Sequence, residues 1–201
     1  VVPQRFTITE GELTVKVEKS LAATTLSALN VLRNRPWQGI EQTVSRFLPN
    51  IMTYRALDDL GVAREGLKST LDFTVNESIQ KLYAEQKADG GWGWYVQDVS
   101  DPMVTAYAVL GLQIAQEEGY PISESVLTQA RSYLRSKLVT PSPSRARYIL
   151  DRQVFILYVL ARGGFGDVGR TSIMYDYREN LSLYAKAFLA QTLQILNPED
   201  T

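Results

Sequence analysis

Residues 154–161 read Val-Phe-Ile-Leu-Tyr-Val-Leu-Ala, eight consecutive apolar positions inside a segment of about 145–162 that is predicted to be helical. A helix that is apolar on every side has no face to give to water, so other elements must enclose it. The surrounding segments have the character such an arrangement needs. Leu21, Thr25, Ala28, Leu29 and Leu32 recur at three-to-four spacing from Ser20 onward. Val104, Ala108, Gly111, Leu112 and Ala115 form a similar stripe after Asp101-Pro102, which reads as an N-cap followed by proline at the first helical position. Two more helices are predicted from Glu41 to about Leu60 and from Glu65 to about Ala88, with Gly61 as the break between them. Another starts at Ser123, with Ile122 and Leu127 placed as a hydrophobic staple, and runs to about Leu138 before Pro141-Ser142-Pro143-Ser144. Asp176 and Glu179 have capping-box spacing and are predicted to open a last helix to about Leu196, ended by Asn197-Pro198. The class is mostly α: about seven helices as antiparallel hairpins, with enclosed and amphipathic helices alternating. Two concentric helix layers, a partial α/α toroid, explain that alternation, and a simple bundle is the plainer alternative.

The first residues differ from the rest. Arg5-Phe6-Thr7-Ile8-Thr9 and Glu12-Leu13-Thr14-Val15-Lys16-Val17-Glu18 alternate with period two around Glu10-Gly11, which reads as a short β-hairpin. A two-stranded hairpin is marginal alone, so residues 1–19 are assigned to an adjacent β domain and residues 20–201 to the helical domain. The chain opens Val1-Val2-Pro3 without a methionine or an apolar leader, and is read as a fragment of something longer.

Composition removes much common chemistry. The chain has no cysteine and no histidine, so disulfides, Cys- or His-liganded zinc, iron–sulfur clusters, a Cys nucleophile and a His general base are all excluded. No cofactor or metal is indicated. Twenty-one basic and 22 acidic residues leave a net charge of −1 with no like-charge block, so neither nucleic acid nor an anionic membrane is an indicated partner. No run approaches the roughly 18 apolar residues of a membrane span, so direct membrane insertion is not expected.

Two glycine-rich segments stand out. Residues 86–95, Gln-Lys-Ala-Asp-Gly-Gly-Trp-Gly-Trp-Tyr, combine turn-forming Gly90 and Gly91 with Trp92 and Trp94, which bring large surfaces and an N–H that seeks a partner. Asp89 can bond backbone amides in such a turn. The segment reads as a rigid loop locking one helix end onto the next, or else as an aromatic ligand platform. Residues 164–169, Gly-Phe-Gly-Asp-Val-Gly, match the dinucleotide-binding fingerprint by letter. That fingerprint needs a preceding strand and a following helix, and a helix precedes it here, so it reads as a mobile interhelical loop. Asp58-Asp59 lack further carboxylates for a metal site, Asp98 and Asp101 read as capping residues, and Glu117-Glu118 read as solvated. The glycosylation-type triplets at Asn76 and Asn180 fall in predicted helices and read as accidental.

Three stretches together resemble the thioester-bearing domain of the alpha-2-macroglobulin family, in particular its bacterial members. The first is Arg35-Pro36-Trp37-Gln38-Gly39-Ile40-Glu41-Gln42-Thr43, against a family pattern Tyr-Pro-Tyr-Gly-Cys-x-Glu-Gln-Thr. Pro36, Glu41, Gln42 and Thr43 match, and Trp37 stands at a tyrosine position. The second is the 89–94 loop with Ser100-Asp101-Pro102-Met103-Val104-Thr105-Ala106-Tyr107, and the third is Gly11-Glu12-Leu13-Thr14-Val15 with Ser20-Leu21. The resemblance covers nearly the whole chain, and the family's helical domain is usually longer, so the toroid is expected to be incomplete.

The resemblance implies an endopeptidase inhibitor whose internal Cys–Gln thioester acylates a protease after a bait region is cut. Gln42 takes the acyl position, but Gly39 stands where the cysteine belongs, so Gly39, Glu41 and Gln42 form a degenerate motif. Acyl transfer of this kind needs a thiolate leaving group, and the chain has none. Either the protein is a natural thioester-free member or the cysteine was removed by mutation. The drift at Trp37-Gln38 favours the first. Glu41 also suits a helix N-terminus by charge alone. The expectation is therefore non-covalent entrapment, with proteases and the other domains of the parent chain as partners, in the periplasm, cell envelope or extracellular space. Asp89, Gly90, Gly91, Trp92, Trp94 and Asp101 are expected to serve as a structural or interaction loop. Competing expectations are a toroidal enzyme of terpene cyclase or glycosidase type and a passive protein-binding scaffold.

Overall fold

The computed structural model describes residues 39–61 and 65–197. The expected hairpin at 1–19, the helix expected from Ser20 and residues 35–38 of the motif lie outside the described residues. Seven α-helices occur within them: α1 (Ile40–Asp59), α2 (Glu65–Glu85), α3 (Pro102–Glu117), α4 (Glu124–Ser136), α5 (Arg147–Arg162), α6 (Val168–Asp176) and α7 (Leu183–Leu196), with a 3-10 turn at Arg178–Asn180 before the last.

The packing order has two layers. Helices α1, α3, α5 and α7 contact one another in series, while α2, α4 and α6 lie against them from the flank. This is the alternation of an α/α toroid, and burial follows it in α3 and α5, whereas α7 at the end of the series buries only Ala185, Leu189 and Thr192. Residues 153–161 of α5 are buried at every position, as the apolar run predicts. In α3, Val104, Thr105, Ala106, Ala115 and the whole run from Ala108 to Gln113 are buried. The flanking helix α4 is amphipathic: Leu127, Ala130, Arg131, Tyr133 and Leu134 are buried, Val126 packs half-buried against the core, and the other positions are exposed. Gly111 lets two inner helices close up, since a Cβ there would lie 2.8 Å from a Val44 methyl and 3.0 Å from the Phe47 ring. No helix among the described residues is long and apolar enough to cross a membrane.

Two expectations are corrected. Asp176 and Glu179 do not cap the last helix. Asp176 is itself the last helical residue of α6, so its side chain cannot serve orphan amides ahead of it, and Glu179 pairs with Lys186 at 3.1 Å. Ser182 caps α7, accepting from the Ala185 amide, while its own amide donates to Asp151. Residues 164–169 are also not one loop. Asp167 is an N-cap whose carboxylate accepts the Arg170 amide at 2.9 Å, so Val168 and Gly169 are already helical. A helix does follow the glycine-rich letters, but α5 rather than a strand precedes them, and the phosphate-cradle geometry is therefore missing.

Candidate functional site

The start of α1 and the loop of residues 86–101 meet at Gly39. Asp101 fixes the far end of that loop as expected: its carboxylate accepts the Met103 and Val104 amides at 2.8 and 3.0 Å, with Pro102 following it. Asp98 is not a helix cap. It holds the tip of the loop instead, accepting the Tyr95 amide at 3.1 Å while its own amide donates to the Tyr95 carbonyl.

Trp92 is the anchor. It is fully buried and donates its indole N–H to the Leu82 carbonyl at 2.8 Å. The buried Thr105 hydroxyl accepts the Trp92 amide at 2.9 Å and donates to the Trp92 carbonyl at 3.2 Å. That carbonyl also takes the Asp101 amide at 2.8 Å, so the loop is stitched to the start of α3. At the near end, Gln86 donates to the carbonyls of Gly90 and Val126, tying the end of α2 to the start of α4. Gly90 is at φ +87°, and a Cβ there would fall within 3.0 Å of the Gln129 carbonyl oxygen. Gly91 would bring a Cβ to 2.6 Å from the Ser100 Cβ, and Gly93 to 2.6 Å from the Val99 carbonyl oxygen. These glycines are close-approach positions, and the loop is a packed joint.

Asp89 completes the joint by accepting from the Gly91 amide at 3.0 Å and the Ser100 hydroxyl at 2.7 Å. Burial works against its charge, but the Ser100 and Gly91 hydrogen bonds, with the Lys137 ammonium nearby, hold its carboxyl below the ordinary value. Tyr133 donates to the Ser100 carbonyl at 2.8 Å; burial first, then the negative Asp89 and Asp101, push its phenol up to about 12. The two tryptophans of the loop thus differ. Trp92 is core, whereas Trp94 is 49% exposed and shares the tip with exposed Tyr95, Val96 and Val99.

Gly39 and the first residue of α1 sit against this tip. Gly39 is extended at φ −71°, and its carbonyl accepts both the Thr43 amide and the Thr43 hydroxyl at 3.0 Å. The next amide, of Ile40, donates to the Trp94 carbonyl at 3.2 Å. Glu41 lies in the first turn of α1, where its charge suits the helix N-terminus, and accepts from the Ser45 hydroxyl, which also bonds the Tyr107 hydroxyl of α3. Gln42 is partly buried, and its carbonyl oxygen is shielded without a hydrogen-bond partner among the described residues. The structure therefore brings Gly39, Trp94 and the loop together, with Glu41 engaged in helix-surface contacts. The roles of Gln86, Thr105 and Ser100 were not legible as chemistry, because glutamine, threonine and serine carry no signal until their partners are seen. Chemically, Gln42 offers an unactivated carboxamide, and the chain has no cysteine to convert it into a thioester.

Glu117 and Glu118 are not simply solvated. Glu117 pairs with Arg162 at 2.5 Å and Glu118 with Arg55 at 3.1 Å.

Comparison with known proteins places this geometry. The model of the A-macroglobulin TED domain family matches residues 13–140. An alpha-2-macroglobulin of Thermotoga maritima is 36% identical over 124 residues, which is 62% of this chain and 7% of that protein. A drimenyl diphosphate synthase of Streptantibioticus cattleyicolor is 39% identical over 59 residues, 29% of this chain and 11% of the synthase. Among solved structures, Salmonella alpha-2-macroglobulin reacted with methylamine superposes with a TM-score of 0.71 at 22% identity, over 88% of this chain and 12% of that one. Native Escherichia coli alpha-2-macroglobulin, from domain MG7 to the C-terminus, gives 0.70 at 20% identity, over 87% of this chain and 29% of that one. These likenesses establish the toroidal fold. The chain spans less than a tenth of the curated alpha-2-macroglobulin it matches.

Proposed function

The chain belongs to the A-macroglobulin TED domain family, and from that premise we propose that it is a thioester-free part of a bacterial alpha-2-macroglobulin-like endopeptidase inhibitor that holds proteases by non-covalent entrapment. The observation that carries this reading is the pairing of Gly39 with Gln42 in a chain without cysteine. An amide carbon is a poor acyl donor, and no thiolate is present to convert it into a good one. The domain then contributes shape and packing, with the joint at residues 86–101 keeping its helix ends in register.

A bait segment and neighbouring β-sandwich domains are expected in the rest of the parent protein. The cell envelope or the periplasm is the setting we propose, by analogy with the bacterial relatives. The match to drimenyl diphosphate synthase covers only 29% of the chain.

The test uses the full-length parent protein. After exposure to an endopeptidase, cleavage of a large protein substrate should be suppressed while cleavage of a small peptide continues. Equal cleavage of both substrates refutes entrapment. Turnover of an isoprenoid diphosphate would favour the enzymatic alternative.

A further inference from the structure

Gly39 is held more tightly than a residue at a chain bend needs to be. A Cβ built on it would lie within 3.0 Å of the Trp94 carbonyl oxygen, a separation that real Cβ atoms essentially never show, and the obstacle is backbone. The same oxygen accepts the Ile40 amide at 3.2 Å. Moving it away to admit a side chain therefore also breaks that hydrogen bond. Neither partner is free to yield. Gly39 is fixed from behind by two hydrogen bonds to its carbonyl, donated by the Thr43 amide and the Thr43 hydroxyl. The Trp94 carbonyl is carried on a loop pinned at Trp92 by Thr105 and Asp101, and at Tyr95 by Asp98. Gly93, just before it, is itself closed against the Val99 carbonyl.

We infer that Gly39 forms an interlock between the start of α1 and the loop tip at Trp94, so that any side chain at position 39, a cysteine's included, forces the two apart, and Gly39→Cys alone does not rebuild a thioester. Thioester formation would join the introduced sulfur to the Gln42 carboxamide carbon, break the carbon–nitrogen bond and release ammonia, the nitrogen leaving with the thiol proton. That reaction needs the sulfur held beside Gln42, and the Cβ that would carry it falls where the Trp94 carbonyl stands. The loss of covalent chemistry is thus built into the backbone packing as well as into the missing thiol. The inference rests on the alignment of Gly39 with the thioester cysteine used above.

The experiment compares Gly39→Cys, Gly39→Ala and the control Gly66→Ala in the full chain. Gly66 is helical with nothing within 4 Å of its built Cβ, so the control reads the generic effect of the substitution. Both position-39 variants should lower the thermal midpoint by several degrees, the control should not, and the Ile40 amide should exchange with deuterium faster in both. Failure of both to fold, with the control intact, is the same result at larger amplitude. The Gly39→Cys protein should keep the mass of a free thiol, titrate one thiol and take up no methylamine. A Gly39→Ala protein as stable as the parent overturns the interlock. So does a Gly39→Cys protein that is lighter by one ammonia and exposes its thiol only after methylamine treatment. Neither outcome touches the non-covalent reading of the parent protein, which fails on its own tests, either equal cleavage of large and small substrates or a covalent bond to the protease.

Discussion

The two glycine-rich turns use glycine for different reasons. In residues 89–94, Gly90, Gly91 and Gly93 are each crowded by neighbouring atoms, two of them by a backbone carbonyl, and Gly90 also needs positive φ. After α5, Gly164 has φ +83° with nothing within 4 Å of a built Cβ, so its backbone angle alone requires glycine, while Gly163 and Gly166 would first meet the ends of side chains, those of Gln113 and Leu196. The first turn is a joint between helices, and the second is a reversal at a helix end closed by the Gly164 and Phe165 amides on the Ala161 and Leu160 carbonyls. Both are anchored by an aspartate, Asp89 in one and Asp167 in the other, whose carboxyls are held below their ordinary value of 3.8. The same letters on a page, glycine pairs near an aspartate, therefore hide a difference that only neighbouring backbone reveals.

The comparison can be broken most easily at Trp92. Its replacement by alanine should cost about 3–5 kcal/mol, as expected for a buried aromatic with a partnered N–H, read from the urea midpoint. A cost below about 1 kcal/mol would mean the loop is not a joint. Next comes the glycine pair. Gly90→Ala meets both the wrong φ and the Gln129 carbonyl, and should exceed about 2 kcal/mol. Gly164→Ala meets the φ penalty alone and should cost about 1 kcal/mol. Equal costs would erase the distinction drawn between the two turns.

A smaller effect separates the two aspartates from the rest of the chain by pH. Their folded pKa values lie below the unfolded ones, so the stabilisation each contributes is complete above about 3.8 and is lost as pH falls through the lowered folded value. Asp89→Asn and Asp167→Asn should each flatten the fall of stability below pH 4, checked by thermal melts across that range. An unchanged slope in both would show that neither carboxylate anchors its turn. Smallest is Trp94→Ala, at a half-exposed tip. It should change stability by no more than about 0.5 kcal/mol, and a larger loss would make the tip part of the core.

Much of this architecture could be read beforehand, and the reasons are local. Asp101-Pro102 announces its helix because capping and the fixed proline φ act on neighbouring amides. The apolar run in α5 announces an enclosed helix because no face is left for solvent. Helix α6 stayed hidden because it is nine residues long, contains Gly169, and buries only Thr171 and Met174, too few positions to set a period. Asp176 misled because capping-box spacing says nothing about whether the first residue has already become helical. At the candidate site, the identities of Gly39 and Gln42 were plain, and the missing thiol with them. The interlock with the Trp94 carbonyl was not, because a backbone oxygen more than fifty residues away in the chain leaves no trace in side-chain spacing.

The most direct test of the central claim is the chemical nature of the captured complex. Full-length parent protein, challenged with an active endopeptidase and then fully denatured, should release the protease at its own mass, with the Gln42-bearing peptide unmodified. A protease that remains joined under denaturing conditions through the Gln42 carbonyl would contradict the account.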